Sequence, residues 1–378
     1  MGLFDDLLIV STAIYTGVAL LFFLGLCRTR SNKSFPDHPF ISVVIAARNE
    51  ADFIPSCLDS LSRQTYPADR FEVLVVDDAS QDSTATLVNT WMQKLPNLKL
   101  LTVGQAFSDM AAKKRPMSVG IHHARGEWIT TTDADCTVPP TWLFSLATYM
   151  HPDVGVVIGF SQIKTAKTHL TFFECLQAFD FLSLMAAAAG AVGVGFPLAA
   201  TGQNLSYRKS LFEKIGGFKT IGHRPSGDDV LLLQLLRKAW AGRILFATDP
   251  NTYVSTWRTE TPISFIRQRC RWASNAAYQL KLNPVFFIYI LSVFLTNALI
   301  LMGLLWDGTT GNRSLPVVCF LLKILADLLV VGHGARLFNR QKLLFVLPVW
   351  ELFQLPYTLF MGIAGTLGKF TWKNRKHK

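Results

Sequence analysis

Apolar residues are concentrated at the two ends of the chain, and the stretch between them is patterned like a water-soluble α/β domain. Residues 7–27 form a run of 21 without a formal charge, long enough to cross a bilayer as a helix. Asp5 and Asp6 precede it, and Arg28, Arg30 and Lys33 follow. That asymmetry predicts an N-terminus outside and the next domain in the cytoplasm. A cleaved leader would want a basic residue before the run and a small-residue cleavage site after it. Neither is present, so an uncleaved anchor is expected.

From residue 39 to about 251 the pattern changes. Ile41-Ser42-Val43-Val44-Ile45-Ala46-Ala47 suits a buried parallel strand. Phe53, Ile54, Cys57, Leu58 and Leu61 then recur at helical spacing. Further strands are expected at 73–76, 98–103 and in the run entering Asp133. Strands alternating with helices predict a mostly parallel sheet, whose ligands bind beyond the carboxyl ends of the strands. Residues 172–200 are an apolar insert interrupted by Glu174, Gln177 and Asp180, fitting either a buried core helix or a segment at the membrane face.

The membrane pattern returns after Lys281. Residues 285–306 predict a second span, a polar turn follows at 307–313, and 315–331 predict a third. Lys323 and Asp327 lie four apart in it and can pair on one helical face. Residues 343–367 contain Pro348, Glu351, Gln354 and Pro356 and precede a basic tail, 368–378. A plain span would leave that tail outside, against the positive-inside bias, so a broken or re-entrant segment is expected.

The net charge of +11 raises the question of nucleic acid. Much of the excess flanks apolar segments, where basic residues set topology and attract anionic lipid, and no nucleic-acid partner is expected. The six cysteines are scattered without a C-x-x-C pair, which fits reduced thiols.

Asp133-Ala134-Asp135 ends the fourth strand-like run. Two carboxylates two apart offer hard oxygen ligands for Mg2+ or Mn2+ that leave positions open for phosphates. Alone the triplet is weak, because such pairs often sit solvated on loops. It is accompanied by Ala47-Arg48-Asn49-Glu50, Asp77-Asp78, Ser226-Gly227-Asp228-Asp229 and Gln268-Arg269-Cys270-Arg271-Trp272. Individually these also have bland readings: the acid pair as a helix cap, the basic-aromatic stretch as an interfacial anchor.

In this order the clusters resemble the membrane-bound family 2 glycosyltransferases of the GT-A fold, with their D, DxD, (E/D)D and QxxRW set. The branch includes cellulose, chitin and hyaluronan synthases and ceramide glucosyltransferase. The resemblance covers about residues 39–275 and the flanking membrane segments, 7–27 and 285–367. It implies an α/β GT-A domain with membrane helices at both ends, in a bacterial inner membrane with the domain cytoplasmic. Its implied partners are a UDP- or GDP-sugar, a lipid or saccharide acceptor and the bilayer. Asp133 and Asp135 would hold the divalent cation, and Asp229 would be the catalytic base of an inverting transfer. Donor and acceptor contacts would come from Ala47, Asn49, Glu50, Asp78 and Lys114 (or its neighbour Lys113), and from Gly202, Gln203 and Asn204. Asp133, Asp228, Gln268, Arg271 and Trp272 complete the set. Asp228 stands where many relatives carry glutamate.

Three other readings compete with this one. A processive polysaccharide synthase shares QxxRW, but two or three C-terminal spans are few for a translocation channel. A non-catalytic binding module is disfavoured by intact acidic clusters. A nucleotidyltransferase would want a glycine-rich loop after the first strand, where this chain reads Ala46-Ala47-Arg48-Asn49-Glu50.

Overall fold

The computed structural model describes residues 2–29, 38–164, 171–259, 261–305 and 314–367, with the backbone of 370–372 and 375–377. The expected basic flank at Arg30 and Lys33, the polar turn 307–313 and the side chains of the basic tail lie outside the described residues.

The chain opens with α1 (Leu3–Arg28), then β1 (Ile41–Ala47), α2 (Ile54–Ser62), β2 (Phe71–Asp77), α3 (Thr84–Trp91) and β3 (Leu98–Thr102). Next come α4 (Lys114–His123), β4 (Trp128–Thr131), β5 (Cys136–Thr137), α5 (Trp142–Ala147), β6 (Val154–Gly159) and β7 (Ser161–Lys164). They are followed by α6 (Phe172–Gly193), β8 (Leu205–Arg208), α7 (Lys209–Lys214), α8 (Val230–Ala239), β9 (Arg243–Ala247) and β10 (Val254–Trp257). Then come α9 (Pro262–Ala273), α10 (Ala276–Leu282), α11 (Pro284–Leu305), α12 (Ser314–Leu337) and α13 (Leu347–Leu367), followed by a short antiparallel strand pair, Phe370–Trp372 and Arg375–His377.

Seven strands form one sheet in the order β3-β2-β1-β4-β8-β6-β9. Pairing is parallel from β3 through β4 and between β6 and β9, while β8 runs antiparallel to both neighbours. Alternation along β1 sends Val43 and Ile45 into one core and Val44 into the other. A smaller sheet, β5-β10-β7, stands beside it.

Among the described residues, five helical stretches are long and apolar enough to cross a membrane: α1, α6, α11, α12 and Gln341–Thr366, which takes in nearly all of α13. In four of them only 28 to 33% of the apolar window is buried within the molecule, against 78% in α6. The apolar insert is therefore a mostly internal helix, started by a capping box of Thr171 and Glu174. It packs on α1 and α12, and a methyl group on Gly25, Gly190 or Gly193 would collide with backbone of the facing helix.

The expected Lys323–Asp327 pair forms, at 2.7 Å. Lys323 also donates to Glu351 at 2.5 Å and Gln354 at 2.6 Å, and Tyr15 bonds Asp327, so α1, α12 and α13 share one buried polar knot. The expected break in the last apolar segment does not occur at either proline. Pro348 sits in the first turn of α13, where its missing N–H costs nothing, and the helix runs through Pro356.

Candidate active site

β1 and β2 pair in register so that Ala47 faces Asp77, and the Asp78 N–H donates to the Ala47 carbonyl at 2.8 Å. Arg48 continues the clamp, donating to the Asp78 carbonyl at 2.6 Å. Asn49 takes a left-handed φ of 52°, a conformation asparagine tolerates. Its N–H donates to Ser80 Oγ and its side-chain oxygen accepts from the Gln81 N–H. Asn49 therefore ties the two strand ends together, while Ala47, Glu50 and Asp78 line a cleft of about 340 Å³.

β4 delivers the third cluster. Thr131 donates to the Gly202 carbonyl at 2.7 Å, drawing the 201–203 turn over the strand end. Asp133 and Asp135 face the same cleft. Ligand atoms of Asp133, Asp135 and Cys136 lie within 4.8 Å of one another. Burial, with Asp135 and Asp133 beside it, pushes the Cys136 thiol well above its ordinary range, so it stays protonated and is a poor ligand. Burial also pushes Asp135 up to about 7, helped by the charges of Asp133 and Glu50. A carboxylate so penalised is one that a cation would relieve, and the two aspartates fit Mg2+ or Mn2+.

The opposite wall is the head of α8. Asp229 caps that helix, accepting from the Val230 N–H at 2.6 Å and from the Gly202 N–H at 3.1 Å. Burial raises its pKa, and the negative Asp228 adds to the effect. Burial acts on Asp228 too, but Lys113 and then Lys114 outweigh it and hold that carboxyl below its ordinary value. Two adjacent acids thus diverge, with Asp229 the more basic.

Lys113 is the lysine that enters the cleft. It pairs with Asp133 and, at 3.4 Å, with Asp228. Lys114 turns the other way: buried, it donates to the carbonyls of Arg224 at 2.7 Å and Ser226 at 2.8 Å. It fastens the loop that carries Asp228, and it is not among the cleft's lining residues. Asn204 is also structural. Its amide donates to the carbonyls of Phe160 and Thr252 and accepts from Trp142 Nε1.

α9 closes the cleft with Gln268, Arg271 and Trp272. Arg271 reaches Ser226 Oγ at 3.4 Å. Sequence reasoning missed what stands behind them. Arg269 stacks 4.0 Å over Trp272 and is bound at 2.6 Å to Asp180 of α6, each only 6% exposed. Gln177 likewise holds Thr259, and Glu174 pairs with Arg258. Glu174, Gln177 and Asp180 are spaced three apart, so one polar stripe of an apolar helix seats the β10–α9 segment. That spacing was the available signal.

The family description "Glycosyl transferase family 2" matches residues 42–184, and "Glycosyl transferase family group 2" matches residues 128–364. A probable glycosyltransferase of Bacillus subtilis (strain 168) is 27% identical over 315 residues, covering 75% of this chain and 71% of its own. A beta-monoglucosyldiacylglycerol synthase of Synechocystis is 26% identical over 254 residues, 65% of this chain and 49% of its own length. Among solved structures, a mannosyltransferase of Pyrobaculum calidifontis in complex with GDP-Man and Mn2+ shares the fold with a TM-score of 0.61. It is 20% identical and covers 97% of this chain and 99% of its own. With a family description spanning more than half its length over a GT-A sheet, the chain belongs to glycosyl transferase family group 2 and is a glycosyltransferase.

Proposed function

We propose that this chain is an integral membrane enzyme that moves a sugar, with inversion, from a UDP- or GDP-sugar to a lipid acceptor at the cytoplasmic face. One observation carries the reading: Asp133, Asp135, Asp228 and Asp229 from two distant segments line one cleft with Lys113 among them. Asp229 takes the proton of the attacking hydroxyl, its raised pKa suiting that task. Asp133 and Asp135 would hold Mg2+ or Mn2+, which when bound neutralises charge developing on the diphosphate. Glu50 and Asp78 meet the nucleoside, and Arg271 and Trp272 close the site over the acceptor.

A lipid acceptor is favoured over a soluble saccharide because Gln177 and Phe181 of apolar α6 form part of the cleft wall. The synthase relative that makes a glycolipid supports the same choice. The tail reading also gains support. Along α13, Tyr357 stacks on Phe265, Met361 meets Cys270 and Gly365 abuts Ala273, so its C-terminal end lies beside α9 of the catalytic domain. A cytoplasmic tail fits that course, and cysteine labelling of a tail position from outside should fail.

The decisive experiment incubates purified chain in native lipid with labelled UDP- and GDP-sugars, GDP-mannose and Mn2+ first. Products are then partitioned between organic and aqueous phases. Label in the organic phase, lost in Asp229→Asn, is expected. Equal product from wild type and Asp229→Asn would sink the assignment.

A further inference from the structure

Beside the cleft lies a second cavity of about 40 Å³, between β7, α6 and the junction that joins α12 to α13. It shares Ile163 and Phe181 with the cleft, so the two spaces are neighbours across those side chains. Its polar lining is Ser161, Gln162 and Arg340. The Ser161 hydroxyl is fully buried and has no hydrogen-bond partner among the described residues. A buried hydroxyl without a partner is costly, and a ligand or water that accepts from it removes the cost. A single water needs roughly 10–15 Å³ by the same measure, so the space holds about three waters or one tetrahedral anion.

The chemistry of the lining selects between these. Arg340 bonds the Gln162 amide oxygen and brings a permanent positive charge, with several planar donors, to a cavity whose remaining walls, apart from Ser161 and Gln162, are apolar. Its place in the chain matters equally. It follows the apolar α12 and precedes the apolar α13, with exposed Arg336, Lys342 and Phe345 around it in sequence. Basic and aromatic residues at the end of a span sit at headgroup depth.

We propose that this cavity binds a phosphate carried by a lipid, and that the acceptor is therefore a lipid phosphate whose hydroxyl-bearing end passes Ile163 and Phe181 into the cleft. Arg340 pairs with the phosphate oxygens and Ser161 donates to one of them. The proposal rests on the lipid-acceptor reading and narrows it to an anionic class.

The test titrates the purified full-length chain, without donor, with dioctanoyl phosphatidic acid, dioctanoylglycerol and inorganic phosphate. Wild type should bind phosphatidic acid about tenfold tighter than dioctanoylglycerol, as a charge-assisted contact implies. Arg340→Gln and Ser161→Ala should each weaken phosphatidic acid by about five- to tenfold and leave dioctanoylglycerol unchanged. Arg336→Gln, one turn away and exposed, should change neither. If Arg340→Gln fails to fold, Ser161→Ala, which removes only one oxygen, carries the test. Phosphatidic acid binding no tighter than dioctanoylglycerol, or equally in wild type and Ser161→Ala, overturns the proposal and leaves a water-filled cavity. Inorganic phosphate binding as tightly as the lipid overturns it in favour of a free anion. Because no sugar is transferred in these titrations, their failure leaves the glycosyl-transfer reading standing. A silent Asp229 substitution would leave the binding result standing in turn.

Discussion

Lys113 lies 3.4 Å from Asp228 while its ammonium also holds Asp133, so one lysine joins the strand-end acids to the helix-head acids. Lys113→Met would remove a competitor for Asp133 and leave Asp133 and Asp228 without the cation they share. Mn2+ binding in the absence of donor should tighten, whereas sugar transfer should fall by about 10- to 100-fold as donor phosphate loses a positive partner. Weaker Mn2+ binding in the variant would show that the lysine organises Asp133 instead of competing for it.

Asp229→Asn separates chemistry from architecture. Asparagine keeps one acceptor for the Val230 N–H cap and loses the bond from the Gly202 N–H, so the melting temperature should fall only slightly while transfer drops by at least about a hundredfold. Donor binding should survive. In wild type, burial and Asp228 raise the pKa of Asp229. The reactive carboxylate is therefore lost as pH falls through that raised value, and the pH–rate profile should decline on its acid side earlier than for an ordinary aspartate.

Cation affinity should depend on pH near neutrality. Asp135 is pushed to about 7 from 3.8, so below 7 a cation must displace a proton to bind. Mn2+ titrations should weaken steadily as pH drops below about 7. Without cation, the folded protein holds this proton more tightly than the unfolded chain does. Stability from this group thus decreases as pH rises from 3.8 to 7 and is flat above. Added Mn2+ should raise the melting temperature most above pH 7, and a uniform rise at all pH values would contradict the assignment.

Breaking the buried Asp180–Arg269 pair leaves an uncompensated charge and should cost about 3–5 kcal/mol. Asp180→Ala should lower the denaturation midpoint and, by freeing the guanidinium stacked on Trp272, raise the KM for acceptor more than for donor. The exchange Asp180→Arg with Arg269→Asp should recover part of both losses.

Gly190→Ala adds one methyl where α6 meets the backbone of α1 at Phe22. Overpacking of this kind costs about 1–3 kcal/mol. The same change at Gly332, whose nearest neighbour to an added methyl is a Leu328 side-chain carbon at 3.7 Å, should cost little and serves as the control.

The strands that carry the acids were legible because a buried parallel strand has few ways to be written. The turn after each strand then had to fall on one edge. Ile41 to Ala47 is a strand in the sequence and the same seven residues in the structure. Choosing between Lys113 and Lys114 was beyond periodicity. Adjacent residues at a helix start point about 100° apart, and only the path of residues 224–226 decides which one is buried. Asn204 misled for the opposite reason. Its polar amide reads as a sugar contact until Phe160, Thr252 and Trp142, all remote in sequence, are seen to occupy it. The antiparallel β8 was also invisible, since a four-residue strand carries no mark of its direction.

α6 sets a practical boundary on how this protein can be divided. It lies in the sequence between β7 of the smaller sheet and β8 of the seven-stranded sheet, yet its apolar flank rests on α1 and α12. Excising residues 39–275 as a stand-alone fragment would strip away those two supports and turn Gly190, Gly193 and their apolar neighbours toward water. Such a fragment should precipitate or require detergent, and grafting the catalytic unit onto a different anchor should fail unless α1 and α12 travel with it.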